Sequence, residues 1–160
     1  MTQNILKIFG IAVIAILQLT LLPHLGFNSA WPNLILIVAL SLMILDLEIE
    51  SFLVASVGGL VLDLAGPLFF GIHSVILLAF VLITKLLLKK FLTEPNIIVT
   101  GLLLGLASLL NDLIIILIAK NFIWIPILAN GFYSAITGVL LYRFFEHWFK
   151  KQPLIKMVIQ

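Results

Sequence analysis

The run Gly58-Gly59-Leu60-Val61-Leu62-Asp63-Leu64-Ala65-Gly66-Pro67-Leu68-Phe69-Phe70-Gly71-Ile72-His73 decides how this chain folds. It sets one carboxylate, Asp63, in an otherwise apolar stretch that extends from Ser51 to Thr84. A charge at the centre of a bilayer costs roughly 2.5–3.5 kcal/mol even on the lenient insertion scale, so Asp63 is expected to face protein or a wet cavity. Ala55, Gly59, Asp63 and Gly66 step by four, four and three positions and share one stripe of a helix. Small residues there let another helix come close enough to shield or pair the carboxylate. The other helices are expected to pack around this face.

The rest of the composition agrees with a membrane setting. The chain has 160 residues, 63% of them hydrophobic and only 10% charged. Its mean hydropathy is +1.31. A soluble domain carries about 25% charged residues. At about 20 residues per span, this length holds six short spans and leaves no room for a separate catalytic or nucleic-acid-binding module. Cysteine is absent, which excludes a disulfide framework and a thiolate metal site. The pI near 9.1 comes from lysines at the ends of apolar runs, a mark of topology rather than of nucleic-acid affinity. No signal-peptide layout is recognisable.

Going outward from the central run, span 1 is expected over Ile5–Leu22, with Gln18 and Thr20 in its second half. A turn-rich connection follows, from Pro23-His24 to Asn28-Ser29. Trp31-Pro32-Asn33 opens span 2, with proline suited to a first helical turn and tryptophan to the interface. Span 2 runs to Leu45 and ends in Asp46, Glu48 and Glu50, read as a solvated turn. Span 3 covers Phe52–Ala65 and is broken by Gly66-Pro67. Span 4 opens at Gly71 and runs to Leu88, though a single re-entrant element over Ser51–Leu88 is the competing reading. Spans 5 and 6 cover Ile97–Ala119 and Phe122–Phe145. The fold class is thus an all-α integral membrane bundle of six short helices in one polytopic domain, 1–160, with 146–160 as a short basic cytoplasmic tail.

Basic residues set the orientation. With the amino terminus inside, Lys7, Lys85, Lys89, Lys90, Arg143, Lys150, Lys151 and Lys156 are cytoplasmic and only Lys120 is outside. Six spans put both termini in the cytoplasm.

Spans 5 and 6 repeat the small-residue pattern. Span 5 has Gly101, Gly105, Ser108 and Asp112 on one face, and span 6 has Gly131, Ala135, Gly138 and Tyr142. Spans 3, 5 and 6 are therefore expected to pack tightly through these faces. Asp63 and Asp112 need partners, and Asn111, Ser108, Asn130, Ser134 and His73 are the candidates. The favoured reading is a polar clasp between helices, built from Asp63, Asp112, Asn111 and His73; a proton or ion relay is the sharper alternative. His73 reads as an interfacial hydrogen-bonding residue, because His24 and His147 lie at no recognisable ligand spacing from it. No metal site and no cofactor is expected.

The two aspartates do not read as an enzyme. Intramembrane aspartyl proteases use a Gly-x-Gly-Asp setting, whereas Leu60-Val61-Leu62 precedes Asp63. Lipoprotein signal peptidases pair Asn and Asp at another spacing, with a following Arg and a later Asn-x-Ala-Asp; here Asn111 abuts Asp112 and Leu113 follows. No phosphate loop, nucleophile elbow or HExxH motif occurs.

Trp31-Pro32-Asn33-Leu34-Ile35-Leu36-Ile37 and Gly59-Leu-Val-Leu-Asp63-Leu-x-Gly66-Pro67-Leu-x-x-Gly71-Ile-His73 carry a family resemblance. Together with the length, the six short spans and the basic end, they make the chain resemble the bacterial rod shape-determining protein MreD family. That family has a Pro-Asp/Asn-Leu-Leu start, a Gly-Leu-x-x-Asp-Leu run and a Leu-Gly-x-His turn. The chain departs from it at Phe70 and in the wholly acidic loop after span 2.

The resemblance implies a non-enzymatic, multi-pass subunit of the bacterial inner membrane. Its implied partner is MreC, a single-span protein with a periplasmic coiled coil. MreB, RodA and a class B penicillin-binding transpeptidase complete the complex that directs lateral peptidoglycan synthesis. Membrane lipid is the other implied contact, and nucleic acid is not one. Pro32, Asn33, Gly59, Asp63, Gly66, Gly71 and His73 carry over by motif, as architecture and partner contact. The family is also thought to resemble, in fold, the substrate-binding subunits of energy-coupling-factor vitamin transporters. That alternative function is weakened because Ala12 and Ala15 stand only three apart and no Ala-x-x-x-Ala occurs in span 1.

Overall fold

The computed structural model describes residues 2–20, 32–66, 69–91, 96–119 and 124–150. The side chains of 2–9, 91, 119, 124–127 and 148–150 are outside the description, as are Trp31, Pro67, Lys120, Lys151 and Lys156 altogether. The described residues are all-helical. They form α1 (Thr2–Thr20), α2 (Leu34–Ile44), α3 (Glu48–Ala65), α4 (Ile72–Phe91), α5 (Ile97–Ala119) and α6 (Trp124–Lys150). Two of these are long and apolar enough to cross a membrane, over Ile72–Lys90 and Ile97–Ile118.

The bundle is centred on α2 rather than on α3, which corrects the expectation drawn from the Asp63 stripe. Every residue from Ile35 to Met43 is buried, so α2 has no outward face. A helix apolar on all sides belongs in a core, and α2 packs against each of the other five helices. Its amino end is held from outside the helix. Asn33 Oδ1 accepts from Leu36 N at 3.2 Å, and Gln18 Oε1 of α1 accepts from Ile35 N at 2.9 Å. Gln18 Nε2 also donates to Asn33 Oδ1 at 3.2 Å. These bonds satisfy amides that a helix start leaves without partners.

The carboxyl end of α2 closes with paired reverse bonds, Asp46 N to Met43 O at 3.1 Å and Leu47 N to Leu42 O at 2.9 Å. That is the Schellman arrangement, which needs a left-handed residue just past the helix. Asp46 supplies it, with φ 63°. The acidic trio is therefore more than a solvated turn. Asp46 shapes the turn, while Glu48 begins α3, ahead of the expected start at Phe52, and forms an ion pair with Lys85 of α4.

The helices after α2 form two antiparallel hairpins. In α3–α4, Glu48 meets Lys85 at one end and Asp63 meets His73 at the other. Ser51–Leu88 thus folds as two antiparallel helices joined by a turn. In α5–α6 the pairing of Gly101 with Val139, Gly105 with Ala135, Ser108 with Ser134 and Asp112 with Asn130 gives a regular antiparallel register. This hairpin reaches the rest of the bundle chiefly through α2. The expected three-way packing of spans 3, 5 and 6 is therefore corrected. The small faces of α5 and α6 meet each other, whereas Gly58 and Gly59 of α3 face Ile35 of α2 and Ser74 of α4. α6 continues through Lys150, so the stretch expected as the start of a tail is helical.

Candidate functional site

Two polar clusters stand out, and each belongs to one hairpin. The single clasp expected from sequence is two clasps: Asp63 and His73 come together, Asp112 and Asn111 come together, and no hydrogen bond joins the pairs. α3 and α5 share no substantial contact.

The first cluster is a cap supplied by one helix to another. α3 ends at Gly66, the chain turns back, and Gly71 takes φ 97° just before α4. A residue with a Cβ is strained at that angle, which explains glycine there. The first turn of α4 then points its amides at Asp63. Oδ1 accepts from His73 N at 2.8 Å and lies 2.9 Å from His73 Nδ1. Oδ2 accepts from Ser74 N at 3.1 Å and Ser74 Oγ at 2.9 Å.

Amides at a helix start lack internal partners and carry partial positive charge, so an enclosed carboxylate satisfies both needs at once. The Asp63 side chain is wholly buried and that of His73 is 16% exposed. With Asp63 ionised its oxygens only accept, and the proton between the two side chains is then carried by His73 Nδ1. Gly59 makes the approach possible: a Cβ there would lie 2.5 Å from Ser74 Cα. A Cβ on Gly66 would lie 3.3 Å from the His73 ring.

The second cluster is looser. Asp112 is half-buried on α5. Asn111 Nδ2 donates to its Oδ1 at 3.2 Å, and Asn130 Nδ2 of α6 donates to its Oδ2 at 2.8 Å. Asn130 Oδ1 is buried and has no donor. One turn along, the Ser108 and Ser134 hydroxyls pair at 2.8 Å. The glycines again set the spacing. A Cβ on Gly101 would meet Val139 Cγ2 at 2.8 Å, one on Gly105 would meet Ala135 Cβ at 3.1 Å, and one on Gly138 would meet Leu104 Cδ1 at 2.7 Å. Gly131 is covered by the Leu109 side chain.

Sequence reasoning missed Ser74, Gln18 and the Glu48–Lys85 pair. Ser74 was legible only as the residue after His73, and Gln18 only as a polar side chain late in an apolar run. Pro32 and Asn33 lie at the start of α2, where Asn33 is its cap. Among the described residues there is no group of three or more His, Cys, Asp or Glu that could hold a metal. No family model, no curated protein and no solved structure matches this chain.

Proposed function

We propose that the chain is a six-span subunit of the bacterial inner membrane, with both termini cytoplasmic, that assists lateral cell-wall synthesis by pairing with a single-span partner. The observation that carries the membrane part is an inside-out distribution of polarity. Gln18, Ser41, Ser51, Asp63, Ser74, Thr100, Ser108, Asn111 and Ser134 are buried. Leu102, Leu106, Leu110, Leu113 and Leu117 form an exposed stripe along α5, and Leu128, Phe132, Ile136 and Leu140 form one along α6. Soluble monomers rarely leave such continuous apolar faces in water. A lipid exterior accounts for them, and it leaves polar side chains to hydrogen-bond between helices.

The α2 helix, about 16 Å long at 1.5 Å per residue, is shorter than the bilayer's hydrocarbon core. Enclosure by the other helices removes the need for it to reach both interfaces by itself. The basic residues Lys85, Lys89, Lys90 and Arg143 then gather at the cytoplasmic end, in line with the positive-inside rule.

The rod-complex part rests on the resemblance to the MreD family. It assigns MreC as direct partner, with MreB, RodA and a class B penicillin-binding transpeptidase in the same assembly, and it makes the chain a scaffold rather than an enzyme. Gly59, Asp63, Gly66, Gly71 and His73 act in that reading as architecture that fixes the outer end of α3–α4. Co-purification of the full chain from native membranes tests it. Recovery of a single-span protein with a periplasmic coiled coil is expected. Recovery of an ATPase module with its transmembrane coupler would instead assign the chain to vitamin uptake.

A further inference from the structure

The two acids are completed to different degrees. Asp63 receives four donors, two of them amides at a helix start, and needs nothing more. Asp112 receives two, both from neutral amides, and among the described residues no cationic side chain forms an ion pair with it. Beside it lies an acceptor with no donor, Asn130 Oδ1, and one turn inward lie the Ser108 and Ser134 hydroxyls. The cluster is rich in oxygen and short of positive charge. It also sits on α5, one of the two helices apolar enough to span a membrane, where an ionisable group is costly unless it has work to do.

We propose that Asp112, Asn111 and Asn130 form a binding site for one small monovalent cation, H⁺ or Na⁺. One carboxylate balances one positive charge, whereas a divalent ion would leave a net charge in an apolar span. Carboxylate, amide carbonyl and hydroxyl oxygens suit hard cations.

The amides provide the change of state. Both asparagines turn Nδ2 toward the Asp112 carboxyl oxygens, which accept from them. The nitrogen and oxygen of an amide are nearly equal in shape. A half-turn of either side chain replaces the donor with Oδ1 and leaves the backbone where it is. With Na⁺ bound, those carbonyl oxygens join the carboxylate around the ion. With H⁺ bound, the new O–H of Asp112 donates to Asn130 Oδ1.

Among the described residues, Tyr133 is the one other titratable group within a turn of the cluster along α5 or α6. α5 carries none besides Asp112, and α2 carries none at all. On α6, Tyr133 lies one turn from Asn130, while Tyr142, Arg143, Glu146, His147 and Lys150 lie farther along; Arg143 is about 20 Å away at 1.5 Å per residue. Asp63 and His73 belong to the other hairpin, and Lys120 is outside the described residues.

The test uses the full chain in lipid nanodiscs and does not depend on the rod-complex reading. Heat unfolding is followed in NaCl against N-methylglucamine chloride, at fixed pH and ionic strength. Infrared difference spectra are recorded on acidification without Na⁺. Saturable stabilisation by NaCl identifies sodium. Because the chain has seven carboxylic side chains, the proton is identified by a protonated-carboxyl component that grows on acidification, is present in the wild type but missing from Asp112→Asn, and does not respond to NaCl. Either response should vanish in Asp112→Asn and persist in Asp63→Asn. Asn130→Ala should weaken the midpoint roughly tenfold, in Na⁺ or in proton concentration. A wild-type chain with neither response, or a response that survives in Asp112→Asn, overturns the proposal. Should Asp112→Asn fail to fold, an unchanged midpoint in Asn130→Ala overturns it as well.

Discussion

The α3–α4 and α5–α6 hairpins use the same ingredients to different ends. Each has a glycine-lined seam and one aspartate on the side toward its connecting turn. In α3–α4 the seam lets backbone approach backbone, because Gly59 faces Ser74 Cα and N. The acid then closes the site by capping α4. In α5–α6 the glycines mostly receive side chains, Val139, Leu109 and Leu104, and the acid rests on two amides. The first hairpin is a lock, and the second is a zipper with an incomplete polar end. A shared spacing pattern therefore does not imply a shared role. What decides is whether the partner helix presents its amino terminus or its flank.

The largest expected effect tests the glycines. Gly59→Leu sets a branched side chain against the backbone of α4, which cannot move without breaking the Asp63 cap. It should cost about 3 kcal/mol or more and remove most folded protein from membranes. Gly101→Leu meets the end of the Val139 side chain and should cost nearer 1–2 kcal/mol. Folded yield by fluorescence-detected size exclusion reads both. Equal losses would show that the two seams are alike.

Next in size is the cap itself. Ser74→Ala removes one donor to Oδ2 and leaves the backbone amide, so a loss of about 1–1.5 kcal/mol is expected in thermal unfolding. Ser108→Ala, which breaks a bond between two neutral hydroxyls, should cost about 0.5–1 kcal/mol. Reversal of that order would mean that the zipper is the stronger joint.

Gln18→Ala probes the centre on which both hairpins rest. Losing the bond to Ile35 N should cost about 1 kcal/mol, and hydrogen exchange should rise at the first turn of α2. Unchanged exchange there would show that Asn33 alone is sufficient. The smallest effect has the opposite sign. Asp46 holds a left-handed conformation that glycine adopts freely, so Asp46→Gly should raise stability by up to about 1 kcal/mol. A loss would show that the Asp46 side chain does more than form the turn.

Much of the helical outline was legible because Gly66-Pro67 and the polar residues between Leu88 and Ile97 and between Ala119 and Phe122 interrupt long apolar runs. The span read over Ile97–Ala119 and the helix there share both ends. The centre of the bundle was not legible. α2 is apolar on every side, so its sequence has no periodicity to mark an inward face, and only its enclosure by five neighbours reveals its position.

The Asp63 stripe was legible as a buried face, yet it packs on α4 rather than on spans 5 and 6. Short chain separation decided that: a tight turn returns His73 to Asp63 before a distant helix can compete. Glu48 was read in the turn yet opens a helix, and its side chain is 42% exposed, as the solvated reading expects. Its pairing with Lys85 depends on how far along α4 the hairpin aligns, and no single residue reports that. Ser74 escaped notice because a serine in a first helical turn is common, and its second role needs a carboxylate on another helix.

The contrast between lock and zipper has one direct test: thermal unfolding of the purified full chain with Asp63→Leu, Asp63→Asn and Asp112→Leu side by side. Asp63→Leu strips the first turn of α4 of its acceptor and should cost about 3 kcal/mol, while Asp63→Asn keeps one acceptor and should lose about half as much. Asp112→Leu should cost less, about 1–2 kcal/mol, since Asp112 is itself half-buried and leaves two neutral amides, Asn111 and Asn130, without an acceptor rather than the start of a helix. Equal destabilisation by the two leucine variants, or an Asp63→Asn variant as damaged as Asp63→Leu, would contradict the account.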